Sequence, residues 1–317
     1  MAVAWREVRA AFVRVLVNSL GVTLFLWHTP IIGRAGRDRA MACSHSVRMR
    51  LCGALCALAA LIFGCMSPAL ARDGEIDVDV ELILAVDVSY SMDPEEQKLQ
   101  REGYIEALNS PEILNAIKKG VNGKIAVAYF EWAGTASREI VADWHIIEDA
   151  ETAARFTNKL IERPVRRFSR TSISGAIDFA VPMFRNNKFH GLKQVVDISG
   201  DGSNNHGRPV ERARDDALAE GIVINGLPIM FNRPTSGYRD VENLDHYFAD
   251  CVIGGPGSFV IPIRQRSQFI DAIRTKILLE IASIPDDPLP IHKAQMQAPR
   301  SDCMAGEKMW RERWENN

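Results

Sequence analysis

Two carboxylates and three hydroxyls carry most of the chemistry that this chain of 317 residues offers. Asp87, Ser89 and Ser91 stand at alternate positions in "AVDVSYSM", where a long apolar run ends. Thr171 lies in "RTSISGA" and Asp201 in "SGDGSNN". All five offer hard oxygen donors, which suit Mg2+ or Mn2+ rather than a soft metal. Ser172 competes with Thr171 by one residue of register. Each motif also has a plainer reading. Asp and Ser favour helix starts, and Asp-Gly is a common turn. Their joint presence after two strands and before a helix favours a cation site. The chain lacks a GxxxxGK[ST] phosphate loop and any His/Cys cluster at zinc spacing.

Residues so far apart need a scaffold that brings loop ends together. "DVDVELILAVDVS" (77–89) reads as a strand entering a sheet buried on both faces. A helix follows, capped by Asp93 with Pro94 at its first position and stopped at Gly120. Residues 123–134 and 138–148 form a hairpin around Gly134, with the second strand antiparallel. Helices are expected over 150–162 and in "SISGAIDFAVPMFRNN". "LKQVVDISG" is a fourth strand, "PVERARDDALAEG" a helix and "IVINGLPIM" a fifth strand. "SFVIPI" (258–263) is a sixth strand, and "SQFIDAIRTKILLEIA" a closing helix. This alternation predicts an α/β fold: an open, doubly wound, mostly parallel six-stranded sheet with one antiparallel edge strand. Sites on such sheets lie beyond the carboxyl ends of the strands. The loops bearing Asp87, Thr171 and Asp201 then share one edge.

The spacing Asp-x-Ser-x-Ser, a distant Thr and a later Asp-Gly together resemble the metal-ion-dependent adhesion site of von Willebrand factor type A (vWA) domains. The resemblance covers about residues 78–283. It implies a Rossmann-like sheet with Mg2+ (or Mn2+ or Ca2+) held directly by Ser89, Ser91 and, depending on conformation, Thr171. Asp87 and Asp201 act largely through water. It also implies a protein or peptide partner that supplies a carboxylate to the ion, and a last helix that moves. "REGYIEAL", "DISGDGSNN" and "CVIGGPGSFV" further resemble a group of exported bacterial vWA-like proteins described only as a domain of unknown function.

The ends of the chain carry other signals. "RMRLCGALCALAALIFGCMSPALARDGE" has a basic start, an apolar stretch and the A-x-A pattern Ala69-Leu70-Ala71, which reads as a signal peptide cleaved after Ala71. A membrane span and a lipoprotein anchored at Cys65 are the alternatives. The 40 residues ahead of it, with the apolar segment "AFVRVLVNSLGVTLFLW", leave two readings: a start at Met41 or Met49, which is favoured, or an extra membrane anchor. The expected division is 1–71 as extension and signal, 72–283 as the vWA-like domain and 284–317 as a proline-rich tail. Only Cys251 and Cys303 remain after the front end, and in an exported protein they suggest one disulfide. The net charge of −2 hides a basic front and an acidic remainder, which excludes nucleic acid as an expected partner. Contact with a membrane is expected only through the front segment, and the location is periplasmic or secreted.

Glu131, Trp132, Arg170, Asn204 and His206 are expected around the metal as a partner-binding rim. The 15-residue connection 231–245 is a candidate specificity loop. These features favour a binding module over an enzyme. The rival is a metal-dependent hydrolase of phosphate esters. Such phosphatases carry a second Asp two residues after the first, where this chain has Ser89.

Overall fold

Strand β1 (Ile76–Asp87) runs down the middle of the sheet, and its side chains alternate between two cores. Val80, Leu82, Leu84 and Val86 join one, while Ile83 and Ala85 join the other. Burial on both faces explains its nearly unbroken apolar run. The computed structural model describes residues 74–231, 241–281 and 300–315, all within one compact unit, Ala71–Asn317. The expected signal segment, residues 232–240 of the candidate specificity loop and the proline-rich tract after residue 281 lie outside the described residues. Among the described residues no helix is long and apolar enough to cross a membrane.

The remaining strands are β2 (Ile125–Trp132), β3 (Arg138–Ile147), β4 (Phe189–Gly200) and β5 (Val223–Pro228), in the order β3-β2-β1-β4-β5. β1 pairs in parallel with β2 and β4, and β4 with β5; β3 pairs antiparallel with β2. Val86 lies opposite Ser199, and Asp87 opposite Trp132. The ends of β1 and β4 therefore emerge side by side, which brings Asp87 and Asp201 together.

Helices α1 (Pro94–Asn109), α2 (Pro111–Lys118) and α3 (Ala150–Glu162) share one face of the sheet with α7 (Phe269–Ile281). Helices α4 (Ile173–Arg185), α5 (Val210–Ala219) and α6 (Leu244–Tyr247) cover the other. Asp93 caps α1 in a capping box: it accepts from the Glu96 N–H at 2.8 Å, and Glu96 accepts from the Asp93 N–H at 2.9 Å. Helix α8 (Ala305–Glu315) comes from the part of the chain expected to be a tail, and packs back onto the body.

Two expectations are corrected. The single helix expected between Pro94 and Gly120 is broken at Ser110, which is extended (ψ 141°) and caps α2 through its hydroxyl. Pro111 forces this, because a residue before proline is pushed out of helical geometry. The sixth strand is also absent as a continuous element, and the described sheet has five strands. Residues 258–263 lie alongside β5 in two isolated parallel bridges, Gly226–Val260 and Ile229–Ile263. The Gly226 N–H donates to Phe259, and the Ile263 N–H to Pro228. A continuous ladder needs an N–H from position 228, and proline has none.

Candidate functional site

Asp87 closes β1 beneath the sheet edge, fully buried. Its Oδ1 accepts the Ser89 N–H at 2.7 Å, which turns the chain so that Ser89 and Ser91 point the same way. Their hydroxyls share a hydrogen bond of 2.7 Å, and the Ser91 hydroxyl donates to Asp201 Oδ1 at 2.6 Å. Asp87 Oδ2 has no hydrogen-bond partner. Burial, and then the nearby Asp201 carboxylate, raise the Asp87 pKa well above its ordinary value; bonds from Ser89 and a backbone contact from Asp201 oppose this.

Thr171 arrives from a distant loop by backbone pairing. The Tyr90 N–H donates to Phe168 O at 2.8 Å, and the Phe168 N–H to Val88 O at 3.1 Å. Two asparagines then stitch this loop to the one after β4. Asn205 accepts from the Thr171 N–H through its side chain (3.0 Å) and donates its own N–H to Thr171 O (2.9 Å). Asn204 Oδ1 accepts from the Ser174 N–H at 3.0 Å. The Ser172 hydroxyl is spent on capping α4, where it accepts from Gly175. Ser89, Ser91, Thr171 and Asp201 line one cavity of about 340 Å³, with Asp87 below it.

The donor set fits a hard divalent cation. Hydroxyls and carboxylates converge, and one buried carboxylate oxygen lacks a partner that a cation would supply. Among the described residues there is no group of three or more His, Cys, Asp or Glu side chains arranged for a metal, so such an ion depends on the hydroxyls.

The rim expectation holds unevenly. Arg170 lines the cavity and adopts φ 74°, alone among the described non-glycine residues in having a positive φ. Glu131 and Trp132 do not reach the surface. Glu131 is ion-paired with Arg101 in the interior, and Trp132 packs below the exit of β4. Burial raises the Glu131 pKa, and Arg101 opposes the rise. The reason is that β2 stays buried through its last residue, Trp132, and the turn, which spans Gly134–Ser137 as expected around Gly134, lies beyond both side chains. Asn204 is likewise buried, whereas its neighbours Ser203 and Asn205 line the cavity. His206 Nδ1 accepts from the Thr135 N–H at 3.2 Å and so braces the hairpin.

Residues that the sequence reading did not place here come from α8. Gly306, Met309, Trp310 and Arg313 line the same cavity as the hydroxyls. A disulfide between Cys251 and Cys303 holds the start of this segment. The only sequence signals were the paired cysteines and a tryptophan-bearing end.

A family model described as "Protein of unknown function (DUF1194)" matches residues 77–285. The chain belongs to this family. Its sheet order, two helical layers and Asp-x-Ser-x-Ser motif make the DUF1194 chain vWA-like. No curated protein matches it. Among solved structures it is similar to proximal thread matrix protein 1 from the mussel byssus, at 15% identity and TM-score 0.45, over 65% of this chain and 49% of that one. A second structure of that mussel protein has a zinc-occupied MIDAS motif (14% identity, TM-score 0.42, over 65% of this chain and 48% of that one). The pilus adhesin SpaC from Lactobacillus rhamnosus GG is similar at 11% identity and TM-score 0.48, over 64% and 31%. An aerotolerance-related membrane protein from Bacteroides fragilis is similar at 20% identity and TM-score 0.38, over 62% and 98%. The DUF1194 chain thus spans about half or less of the mussel and Lactobacillus proteins.

Proposed function

We propose that this DUF1194 protein is an exported, non-enzymatic binding module that engages a protein or peptide through a divalent cation, Mg2+ in the first instance. Ser89, Ser91 and Thr171 would hold the ion, with Asp87 and Asp201 as the charged support around them. One observation carries this reading. The bonded series Ser89–Ser91–Asp201 lies above a buried Asp87 whose Oδ2 has no partner. Hydroxyl donors neutralise little of a cation's charge, so the ion keeps its attraction for a carboxylate from outside. The same geometry speaks against an aspartyl phosphatase. Ser89 occupies the place of the second acid, and its hydroxyl is bonded to Ser91. The export signal and the cleavage after Ala71 belong to this proposal.

Thermal unfolding of the purified chain tests it. Saturating MgCl2 is expected to raise the melting temperature by roughly 5–10 °C over EDTA, the shift for ligand at about 100 times its Kd. Ser89→Ala combined with Ser91→Ala should remove the shift. An unchanged melting temperature with Mg2+, Mn2+ and Ca2+ in turn would sink the proposal.

A further inference from the structure

Helix α8 presents an unusual face to the site. Gly306, Met309, Trp310 and Arg313 recur at helical spacing and form one stripe. That stripe faces the cavity lined by Ser89, Ser91, Thr171 and Asp201, rather than the sheet. The helix is fastened firmly enough to act as a fixed surface. Cys303 is bonded to Cys251, and the Tyr247 hydroxyl donates to Cys303 O at 3.4 Å. Asn204 Nδ2 donates to Glu307 Oε1 at 2.7 Å. At Gly306 the helix backbone rests on the loop that carries Asp201. A Cβ there would lie 2.2 Å from Asn204 O and 2.6 Å from Ser203 Oγ.

The stripe has a definite chemistry. The Trp310 ring has two guanidinium groups near it, with Arg170 at 3.6 Å and Arg313 at 5.7 Å from its centroid. The left-handed backbone of Arg170 costs free energy, which contacts such as this one offset. The lining therefore combines an α8 stripe that is apolar and flanked by positive charge with the hydroxyls and Asp201; Met230, Phe231 and Glu242 also line it. A volume of about 340 Å³ is near the lower end for small-ligand sites, and suits one or two side chains rather than a broad folded surface.

We propose that α8 is a built-in wall of the ligand site, and that the site selects an extended peptide carrying an acidic side chain next to an apolar one. The acid reaches the cation side, and the apolar neighbour lies on Met309 and Trp310. A wall fixed in advance removes an ordering cost from binding. This inference rests on the metal reading above and names the partner class for that same site.

The test uses the full chain and a labelled pool of pentapeptides with central glutamate and flanking positions drawn from Ala, Leu and Phe. Binding is measured in MgCl2 and in EDTA. The wild type is expected to bind in MgCl2 only, and to enrich Leu or Phe beside the glutamate. Trp310→Ala should weaken binding roughly tenfold to thirtyfold and lose the enrichment. Trp310→Phe should restore most of both, and Arg311→Ala, on the exposed side of α8, should change neither. Circular dichroism and the Mg2+-induced melting shift confirm that each variant is folded and loaded. Equal or tighter binding by Trp310→Ala would overturn the proposal, since α8 would then be a cover over the metal. A chain that gains stability from Mg2+ but binds no member of the pool would also overturn it, with the metal reading intact. A chain without the Mg2+ shift removes the metal reading itself.

Discussion

Asp87 and Glu131 are both buried acids near one sheet edge, yet their surroundings assign them opposite roles. Glu131 has a full partner in Arg101, which also donates to Leu160 O at 3.2 Å; this is an internal tie between α1, β2 and α3. Asp87 faces a second carboxylate and keeps one oxygen without a partner. A neutral side chain of the same shape relieves that repulsion and still accepts the Ser89 N–H. Asp87→Asn is therefore expected to melt about 2–4 °C higher than wild type in EDTA, a gain of about 1 kcal/mol. The same variant should gain nothing from MgCl2. Thermal scans of both proteins with and without the ion check the crossover. The Asp and Ser spacing was legible in sequence because hard donors at alternate positions after an apolar strand are rarely arranged by packing needs. The fate of Glu131 and Trp132 was not legible. It depends on the burial of β2 up to its last residue, ahead of a turn that lies where the local pattern puts it, and on an arginine far away in sequence.

Among the elements, local sequence signals located the strands and helices well, and failed where proline or a covalent tie intervened. The apolar run of β1 and the cap at Asp93 mark element ends directly. The break at Ser110 and the interrupted pairing of 258–263 follow from the missing N–H or the restricted neighbour of a single proline. Helix α8 had no comparable signal. Its place depends on a disulfide bridging 52 positions and on a glycine whose value lies in what it lacks. That glycine gives a direct test. Gly306→Ala improves intrinsic helix propensity by up to about 1 kcal/mol, so an isolated α8 would be more stable. In the folded chain the new methyl meets Asn204 O, and crowding of this kind costs about 1–3 kcal/mol. The variant should therefore lose thermal stability, with faster amide hydrogen exchange confined to residues 305–315 and to the loop around Asn204. A stabilised variant with unchanged exchange would show that α8 does not rest on that loop.

For the molecule as a whole, the last helix of the sheet layer is tied to the middle of the fold by buried charge. Lys276 and Glu280 of α7 and Asp197 of β4 are fully buried together. The Lys276 ammonium lies 2.9 Å from Asp197 and 2.6 Å from Glu280. Tyr104 of α1 donates to Asp197 at 3.2 Å, and Asn225 of β5 to Glu280 at 3.2 Å. Two carboxylates share one cation where water is excluded, so one proton is held near neutrality. Burial raises the Asp197 pKa from 3.8 to about 7, with Lys276 opposing and Glu280 adding to the rise. The sign of the pH effect follows. A carboxyl raised in the fold lends stability that is complete below its unfolded pKa of 3.8 and is lost as pH climbs through about 7. Above that the penalty is constant. Asp197→Asn keeps the Tyr104 contact and has no proton to lose, so it escapes the penalty. The stability of the variant relative to wild type should therefore rise between pH 5 and pH 7, by at most about 1.4 kcal/mol per pH unit, and level off by pH 8. Urea unfolding of both proteins at each pH measures the difference and cancels the surface groups they share. A difference that stays flat across this range would remove the shared proton from the cluster, and with it the account of how α7 is held to the sheet.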